Sequence, residues 1–270
     1  MTSADGPTDV VLGAGSGMGE AIATLLRPRG GRLLLADIDV RAAERVAADL
    51  GGEVEVVGCD LGSADDVEAL AAATGPLGVL VVTAGLSPTM APGRRIYEVD
   101  LIGPARLVRA FEPTVGPGSV AVLLASMAAH LVPAAAEVDA VLDDPLDPSF
   151  IDRVGALGFD VDEPGFAYAL AKRGLIRLVA RDAIRWGGRG GRLLSLSPGV
   201  VDTPMGRAEA ASEPAMATMV DKSALGRMLT AQEVAAVVAF LVSDAASGMT
   251  AVDVLVDGGA VAGYGQTSDG

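Results

Sequence analysis

A tyrosine and a lysine four residues apart form the most informative pair for chemistry in the sequence. Tyr168 and Lys172 fall in a stretch of helical periodicity, where residues i and i+4 share one face. A phenol has a pKa of about 10 and is a poor base at neutral pH, but a neighbouring ammonium stabilises its phenolate. With three tyrosines and two lysines in 270 residues, this spacing arises by chance only about 0.02 times. The pair predicts a proton-transfer device, the alternative being a solvated helical pair.

A glycine-rich loop near the start of the chain predicts a site for phosphate groups. Gly13, Gly17 and Gly19 follow a short apolar run and precede a helical stretch from Glu20 to Arg27. Glycine lets the backbone approach a pyrophosphate closely, and the free amides at the start of a helix bind anions. The spacing alone is weak evidence, because 35 of the 270 residues are glycine. Its place between a first strand and a helix favours a dinucleotide site over a structural turn.

Asp37 indicates which dinucleotide is bound. It lies 18 residues after Gly19, at the end of the second predicted strand. A carboxylate there accepts a hydrogen bond from a ribose 2′-hydroxyl and repels a 2′-phosphate. The next residues, Ile38 and Asp39, supply no arginine to neutralise such a phosphate. The prediction is therefore NAD(H) rather than NADP(H), the alternative being an ordinary surface aspartate.

The elements that must position these residues alternate along the chain. Short apolar strands and alanine-rich helical stretches predict an α/β fold, a doubly wound parallel sheet of about seven strands with helices on both faces. No linker or internal repeat divides the chain, so residues 1–270 are expected to form one domain. The predicted strands are Asp9–Leu12, Arg32–Ala36, Glu53–Val57, Val79–Val82, Ser119–Ala125, Arg192–Leu196 and Val252–Val256.

Helix signals are clear at three places. Ser63–Asp66 and Thr230–Glu233 both fit the capping box, in which two side chains satisfy backbone amides reciprocally. A long helix is expected over Phe166–Trp186. Its predicted apolar face is formed by Leu175, Ile176, Val179, Ala183 and Ile184.

One acidic segment departs from the alternation. Residues 137–163, from Glu137 to Glu163, hold nine acidic residues and Arg153 as the only basic one. We expect an insertion, partly helical around Ser149–Leu157, that forms a wall or lid over the substrate; a solvated excursion or an oligomer contact is the alternative. The apolar side chains expected to face inward are Val138, Val141, Leu142, Phe150, Ile151, Val154 and Leu157.

Composition excludes several functional classes. The chain has 20 basic and 35 acidic residues, a net charge of −15, so nucleic acid is not an expected partner. A lone cysteine, Cys59, and a lone histidine, His130, exclude thiolate–imidazole zinc sites and internal disulfides. The first residues lack the features of a signal peptide, and a cytoplasmic location is expected. Prolines and glycines interrupt the uncharged run 113–136, so we expect a buried strand there, not a membrane span.

Together these motifs resemble the short-chain dehydrogenase/reductase family, of the single-domain type, over about residues 8–260. The turn Ala84-Gly85-Leu86 and the long interval from Ser126 to Tyr168 are similar to a bacterial hydroxysteroid dehydrogenase/carbonyl reductase subgroup. The family motifs correspond to Leu12–Gly19, Asp60-Leu61, Val82-Thr83-Ala84-Gly85, Ser126, Tyr168 with Lys172, Pro198-Gly199, Thr203 and Asp257-Gly258-Gly259.

The resemblance implies an oxidoreductase that uses NAD(H), without a metal, to interconvert a secondary alcohol and a ketone. Tyr168 would exchange the hydroxyl proton, Lys172 would lower its pKa and bind ribose, and Ser126 would stabilise the developing alkoxide. A bulky apolar substrate such as a hydroxysteroid and a homodimer or homotetramer are expected. The implied cofactor-binding residues are Gly13, Ser16, Gly17, Met18, Gly19, Asp37, Ile38, Asp60, Leu61, Thr83, Ala84, Gly85, Tyr168, Lys172, Pro198, Gly199, Val201 and Thr203.

The chain departs from the family pattern at three positions. Asp100, a further candidate catalytic residue, stands where the family has an asparagine that supports a water beside the lysine. Aspartate keeps an acceptor, loses the amide donor and should raise the pKa of Lys172, so it either supports or weakens the proton relay. Thr83 replaces an asparagine and Leu12 a threonine, and both changes are expected to be tolerated.

Two other functional classes are weighed against an active oxidoreductase. A catalytically idle NAD-binding sensor or scaffold is the alternative, supported by Asp100 and the acidic segment. An isomerase or dehydratase on an extended relative of the fold is disfavoured, because it would need a larger C-terminal substrate domain. His130 is expected to be structural rather than a substrate contact. Met205, Met216 and Met219 are expected to contact either substrate or core.

Overall fold

A parallel sheet of seven strands forms the centre of the protein. The structure is a computed structural model that describes residues 6–265. All seven predicted strands are confirmed, with ends that shift by at most two residues. The order in the sheet is β3-β2-β1-β4-β5-β6-β9, and the short β7 and β8 pair separately. The strands are β1 Thr8–Leu12, β2 Arg32–Asp37, β3 Glu55–Gly58, β4 Leu77–Val82, β5 Val120–Leu124, β6 Arg192–Pro198, β7 Val201–Asp202, β8 Leu229–Thr230 and β9 Asp253–Val256.

Helices cover both faces of the sheet, which confirms the predicted doubly wound class. The helices α3, α5 and α8 pack on one face, and α1, α2 and α11 pack on the other. A turn of π-helix, Glu98–Ile102, joins α4 to α5. The helices are α1 Gly17–Leu26, α2 Val40–Leu50, α3 Ala64–Thr74, α4 Gly93–Tyr97, α5 Gly103–Phe111, α6 Ala136–Leu142, α7 Phe150–Ala156, α8 Pro164–Gly187, α9 Pro204–Ser212, α10 Pro214–Lys222, α11 Ala231–Leu241 and α12 Ala260–Gly265.

The strand order reverses between β1 and β4, which are parallel neighbours. Their carboxyl ends lead into the glycine loop and into Thr83-Ala84-Gly85 respectively. The Thr83 hydroxyl lies 3.1 Å from the carbonyl oxygen of Leu12 and 2.9 Å from that of Gly13, and it ties the two strand ends together. In doubly wound sheets a ligand binds at such a reversal, because the two following loops diverge and leave a crevice.

The long helix α8 confirms the predicted helix and extends it at both ends. Leu175, Val179 and Ala183 are buried as expected, but Ile184 is 75% exposed. The buried stripe continues through Asp182 and Ala183 to Trp186. Successive residues are about 100° apart around a helix, so Ile184, which follows the buried Ala183, lies beyond the edge of that stripe.

Only one of the two predicted capping boxes forms. At α11 the Thr230 hydroxyl accepts from the amide of Glu233, and the Glu233 carboxylate accepts from the amide of Thr230. At α3 the Ser63 hydroxyl accepts from the amide of Asp66 at 3.3 Å. The Asp66 carboxylate accepts instead from the amide of Asp60 at 2.9 Å, because the preceding loop brings that amide within reach.

The acidic segment 137–163 is helical at two places and packs against α4 and α8. Its helix α7 matches the predicted one, and α6 is an additional helix. The carboxylate of Asp139 pairs with Arg173 at 2.7 Å, and that of Asp143 pairs with Arg177 at 2.6 Å. These pairs fasten α6 to α8. The buried apolar side chains of the acidic segment pack with Ile96, Tyr97, Leu101, Ala167, Leu170 and Ala171.

The uncharged run 113–136 contains β5, as predicted, and no continuous helix. Across residues 6–265 no helix combines the length and the apolar character needed to cross a bilayer.

Candidate active site

The glycine loop is shaped by close backbone approach. Gly13 has φ +92°, a conformation that side chains strongly disfavour, and a Cβ there would collide with the backbone nitrogen of Ala84. A Cβ on Gly19 would collide with the carbonyl oxygen of Gly13. Both glycines are therefore required by the fold of the loop itself. The loop leaves the first amides of α1 facing the crevice between β1 and β4, where an anion can be held.

Asp37 ends β2 beside this loop and already accepts two backbone hydrogen bonds. Its Oδ2 accepts from the amide of Gly15 at 2.8 Å, and its Oδ1 accepts from the amide of Asp39 at 2.9 Å. Each carboxylate oxygen keeps a second lone pair for a ribose hydroxyl. The bond to Gly15 was not among the sequence predictions, because it joins residues of two different strand ends.

A cavity of about 260 Å³ runs along the loop. Most of the predicted cofactor-binding residues lie in its wall, and its glycine cradle, helix N-terminus and carboxylate fit a dinucleotide. Arg95 of α4 also lines it and pairs with Asp60 at 2.7 Å. No motif marks Arg95, so sequence reasoning missed it. The predicted residues brought together here are Gly13, Ser16, Gly17, Met18, Gly19, Asp37, Ile38, Asp60, Leu61, Thr83, Ala84, Gly85 and Thr203.

A second cavity, of about 440 Å³, adjoins the first and holds the four candidate catalytic residues. We call it the reaction cavity. Ser126 follows β5, Tyr168 and Lys172 lie on α8, and Asp100 lies in the π-helical turn. The ammonium of Lys172 is 5.6 Å from the centre of the Tyr168 ring. The remaining predicted cofactor residues, Pro198, Gly199 and Val201, line this cavity as well.

Lys172 is held by two groups in the wall of the reaction cavity. Its Nζ donates to the carbonyl oxygen of Leu124 at 3.1 Å and lies 3.0 Å from Asp100 Oδ2. The second contact is an ion pair. Asp100 Oδ1 accepts from the amide of Leu86 at 2.8 Å. Both charged side chains are buried, so the pair is poorly screened by solvent.

Charge and burial act in opposite directions on the reacting groups. Burial raises the pKa of Tyr168. Lys172 and the Ser126 hydroxyl lower this pKa, whereas Asp100 raises it, and the net result is an increase. Burial lowers the pKa of Lys172, but Asp100 and Tyr168 raise it by more. Burial raises the pKa of Asp100 against the opposing charge of Lys172. The phenol is therefore kept protonated unless the balance of nearby charges changes.

The acidic segment does not form the expected lid. Of residues 137–163, Glu163 alone lines the reaction cavity, and its carboxylate caps α8 by accepting from the amides of Gly165 and Phe166. The prediction that the apolar side chains of the segment face the substrate is wrong. They pack instead on α4 and α8, because those helices leave an apolar surface that the segment covers.

Helices α9 and α10 form part of the wall of the reaction cavity. Met205, Met216 and Met219 line the reaction cavity, which favours the substrate-contact interpretation of these residues. Glu209 and Glu213 line it too, and sequence reasoning missed them because no motif surrounds them.

The lone histidine has the expected structural role, and the lone cysteine is a buried side chain. His130 Nε2 lies 2.9 Å from Asp253 Oδ2, and His130 is not among the residues that line the reaction cavity. Cys59 is buried, and burial raises its pKa to about 12. Neither residue is placed for chemistry in the reaction cavity.

Known proteins resemble this chain along most of its length. The sequence model of a family described as enoyl-(acyl carrier protein) reductase matches residues 13–141 and 156–261. A cis-4-hydroxycyclohexanecarboxylate dehydrogenase from Sinomonas cyclohexanicum is 34% identical over 267 residues, which cover 93% of this chain and 94% of that protein. A 3-alpha-hydroxysteroid dehydrogenase/carbonyl reductase from Comamonas testosteroni is 30% identical over 262 residues, which cover 93% of this chain and 95% of that protein.

A solved structure shares the fold. The short-chain dehydrogenase/reductase described as glucose/ribitol dehydrogenase, from Brucella melitensis, superposes with a TM-score of 0.73 at 26% identity, covering 94% of this chain and 96% of that one. The interval that the family model leaves unmatched, residues 142–155, lies within the acidic segment.

Proposed function

The chain belongs to the short-chain dehydrogenase/reductase family, and from this premise we propose that it is an NAD(H)-dependent enzyme that interconverts a secondary alcohol and a ketone. The family and the relatives support an alcohol/ketone oxidoreductase. The observation that carries the proposal is the meeting of Ser126, Tyr168 and Lys172 in one cavity of about 440 Å³ that adjoins the dinucleotide cavity. A catalytically idle protein would not need to keep all three side chains there.

The proposed chemistry assigns one task to each side chain. When bound, the nicotinamide supplies the acceptor or donor of hydride. Tyr168 gives its proton to the carbonyl oxygen during reduction and takes the hydroxyl proton during oxidation. Ser126 donates a hydrogen bond to the oxygen on which negative charge develops. Lys172 stabilises the phenolate form of Tyr168 and binds ribose hydroxyls.

The cofactor preference is proposed from Asp37. Its carboxylate lines the cavity at the end of β2, where a 2′-phosphate would be repelled. The residues proposed to hold the dinucleotide are the predicted set that lines the two cavities. We also propose one NAD-binding domain with an insertion at 137–163, in the cytoplasm.

The proposed substrate has a bulky apolar body, such as a hydroxysteroid. The walls of the reaction cavity are largely apolar, and three flexible methionines can adapt to irregular ligands. The carboxylates of Glu163, Glu209 and Glu213 disfavour carrier-linked or phosphorylated substrates, as well as carboxylates like the one in the name of the Sinomonas relative.

Association is proposed to give a homodimer or homotetramer. Phe240 of α11, Val252 just before the edge strand β9 and Leu255 within β9 expose apolar side chains. Such surfaces are commonly buried between copies of a chain.

The test is a panel of secondary alcohols, hydroxysteroids included, with NAD and with NADP, followed by nicotinamide absorbance. We expect NAD-dependent turnover, and we expect Tyr168→Phe to reduce it by at least about a thousandfold while NADH binding stays within about twofold, since the change removes a proton and little contact area. Substantial activity of the variant on every substrate turned over by wild type would place the proton donor elsewhere. A complete lack of turnover by a folded, NADH-binding wild type would favour the idle sensor or scaffold.

A further inference from the structure

The inner wall of the reaction cavity carries a carboxylate that no protein group neutralises. Glu209 lies on α9 and lines the cavity together with Tyr168. Its side chain is partly buried, and within residues 6–265 it has neither a hydrogen bond nor an ion pair. The neighbouring arginine of α9, Arg207, is engaged with Asp202 at 2.5 Å. A partly buried charge without a partner is costly, and a bound ligand of opposite charge removes that cost.

The charges around Glu209 add to its negative potential. Glu213 lines the same cavity. Burial raises the pKa of Glu209, and the charge of Glu213 raises it further. Lys172 is the only basic residue in the described wall, and Asp100 and the carbonyl oxygen of Leu124 already hold its ammonium. The field in the cavity is therefore negative and has no free protein cation to balance it.

Glu209 lies well inside α9, away from the end of the helix where the two cavities meet. Thr203, at the N-terminus of α9, borders both cavities. Six residues of helix carry Glu209 about 9 Å further along the axis. Its charge is still felt at the catalytic phenol, since it raises the pKa of Tyr168. Glu209 has no hydrogen bond to Tyr168, so a group that contacts Glu209 is a different part of the substrate from the oxygen that reaches Tyr168.

Much of the remaining wall of the reaction cavity is apolar. Leu131, Val200, Met216 and Met219 contribute to it. A substrate that matches these groups has an oxygen for Tyr168 and Ser126, an apolar body and a positive charge for Glu209.

We propose that Glu209 binds a protonated amine of the substrate, so that the preferred substrates are apolar amino alcohols and the corresponding amino ketones. This inference rests on the proposed oxidoreductase function and names the substrate class of the same site. The ammonium donates to the Glu209 carboxylate and leaves the hydroxyl or carbonyl group to Tyr168 and Ser126.

Three cyclohexanols that differ only at C4 test this inference. The amine 4-aminocyclohexanol is a cation at pH 7, cyclohexane-1,4-diol is neutral, and 4-hydroxycyclohexanecarboxylate is an anion. Binding of each to the NADH-saturated protein is measured by calorimetry, and turnover with NAD is measured by nicotinamide absorbance. We expect the amine to bind about tenfold more tightly than the diol, and the carboxylate to bind about tenfold more weakly.

The variant Glu209→Gln keeps the shape of the side chain and removes its charge. We expect the variant to bind the amine about tenfold more weakly, to bind the diol within about twofold of wild type, and to bind the carboxylate more tightly. The matched control is Asp221→Asn, which removes an exposed charge from α10 at a position that does not line the cavity. It should leave all three affinities within about twofold.

The outcomes separate this inference from the proposed function. If the amine binds no better than the diol, if no probe binds, or if Glu209→Gln and Asp221→Asn have equal effects, Glu209 does not recognise a cation. A diol that binds best would mean that the carboxylate accepts from a neutral hydroxyl instead, which also overturns the inference. In each case the proposed function stands if NAD-dependent turnover of other secondary alcohols is found. It fails on its own if a folded protein turns over none of them.

Discussion

Replacing Asp100 by asparagine tests how the buried ion pair governs proton transfer. Asparagine has the same size and can still accept from the amide of Leu86, but it removes a negative charge. Asp100 raises the pKa of Tyr168, so its loss lowers the pH at which the phenol ionises. Alcohol oxidation needs the ionised phenol as base. The acidic limb of its pH profile is therefore expected to move to lower pH in Asp100→Asn.

The size of the effect follows from the distances. Asp100 Oδ2 lies 3.0 Å from Lys172 Nζ, which is 5.6 Å from the Tyr168 ring centre, so the carboxylate oxygen lies at most 3.0 + 5.6, or 8.6 Å, from that centre. With an effective dielectric constant of about 20, two charges about 8 Å apart interact by about 2 kcal/mol. Since one pKa unit corresponds to about 1.4 kcal/mol, we expect the limb to move down by about 1.5 pH units. Below the wild-type pKa, kcat/KM for oxidation should rise by up to about thirtyfold.

The assay is kcat/KM for one alcohol between pH 5 and 10, at saturating NAD, in wild type and variant. Asp139→Asn is a matched control, because it removes a carboxylate that pairs with Arg173, the residue next to Lys172, but does not line the reaction cavity. Its profile should coincide with wild type. An unchanged limb in Asp100→Asn, or a shift to higher pH, would refute the reasoning, since it would mean that Lys172 loses its own charge when Asp100 is neutralised.

The remaining predictions concern the cofactor and the helix cap. At equal concentrations, NADH should raise the Tm of wild type more than NADPH does. Asp37→Ala should narrow that difference, because it removes the carboxylate that repels a 2′-phosphate. Equal Tm shifts of wild type with NADH and NADPH would contradict the proposed preference for NAD(H). Thr230→Ala removes the hydroxyl that accepts from the amide of Glu233 at 3.1 Å and should cost about 1 kcal/mol, or about 2–3 °C in Tm by calorimetry. A Tm equal to that of wild type would show that the cap contributes nothing.

The central elements could be predicted because local sequence determines them. A parallel strand inside a sheet is buried on both faces and must be apolar, and this pattern predicted the five inner strands. The two edge strands, β3 and β9, were predicted from shorter valine-rich runs. The glycine loop was equally legible, since close approach at Gly13 and Gly19 excludes any side chain. The family motifs then placed Ser126, Tyr168 and Lys172, which the fold brings into one cavity.

The remaining features depend on contacts between distant parts of the chain. The apolar spacing of the acidic segment indicates that one face is buried but does not indicate which element covers it. The carboxylates of Asp139 and Asp143 pair with arginines that lie 34 residues further along the chain. Glu209 and Arg95 carry no motif, and they reach the cavities only because short helices pack in particular directions. The direct contact of Asp100 with Lys172 could not be predicted either, because Asp100 lies in the π-helical turn.

The two amide bonds of Asp37 have a consequence for the thermodynamics of cofactor binding. They hold the glycine loop and the start of α2 in place through folding alone, with Gly15 and Asp39 as donors. The loss of backbone entropy in this region is then incurred when the chain folds and not when the dinucleotide arrives. Preorganisation of this kind keeps association fast and close to rigid-body docking, and it leaves any slow rearrangement to the helices that cover the reaction cavity.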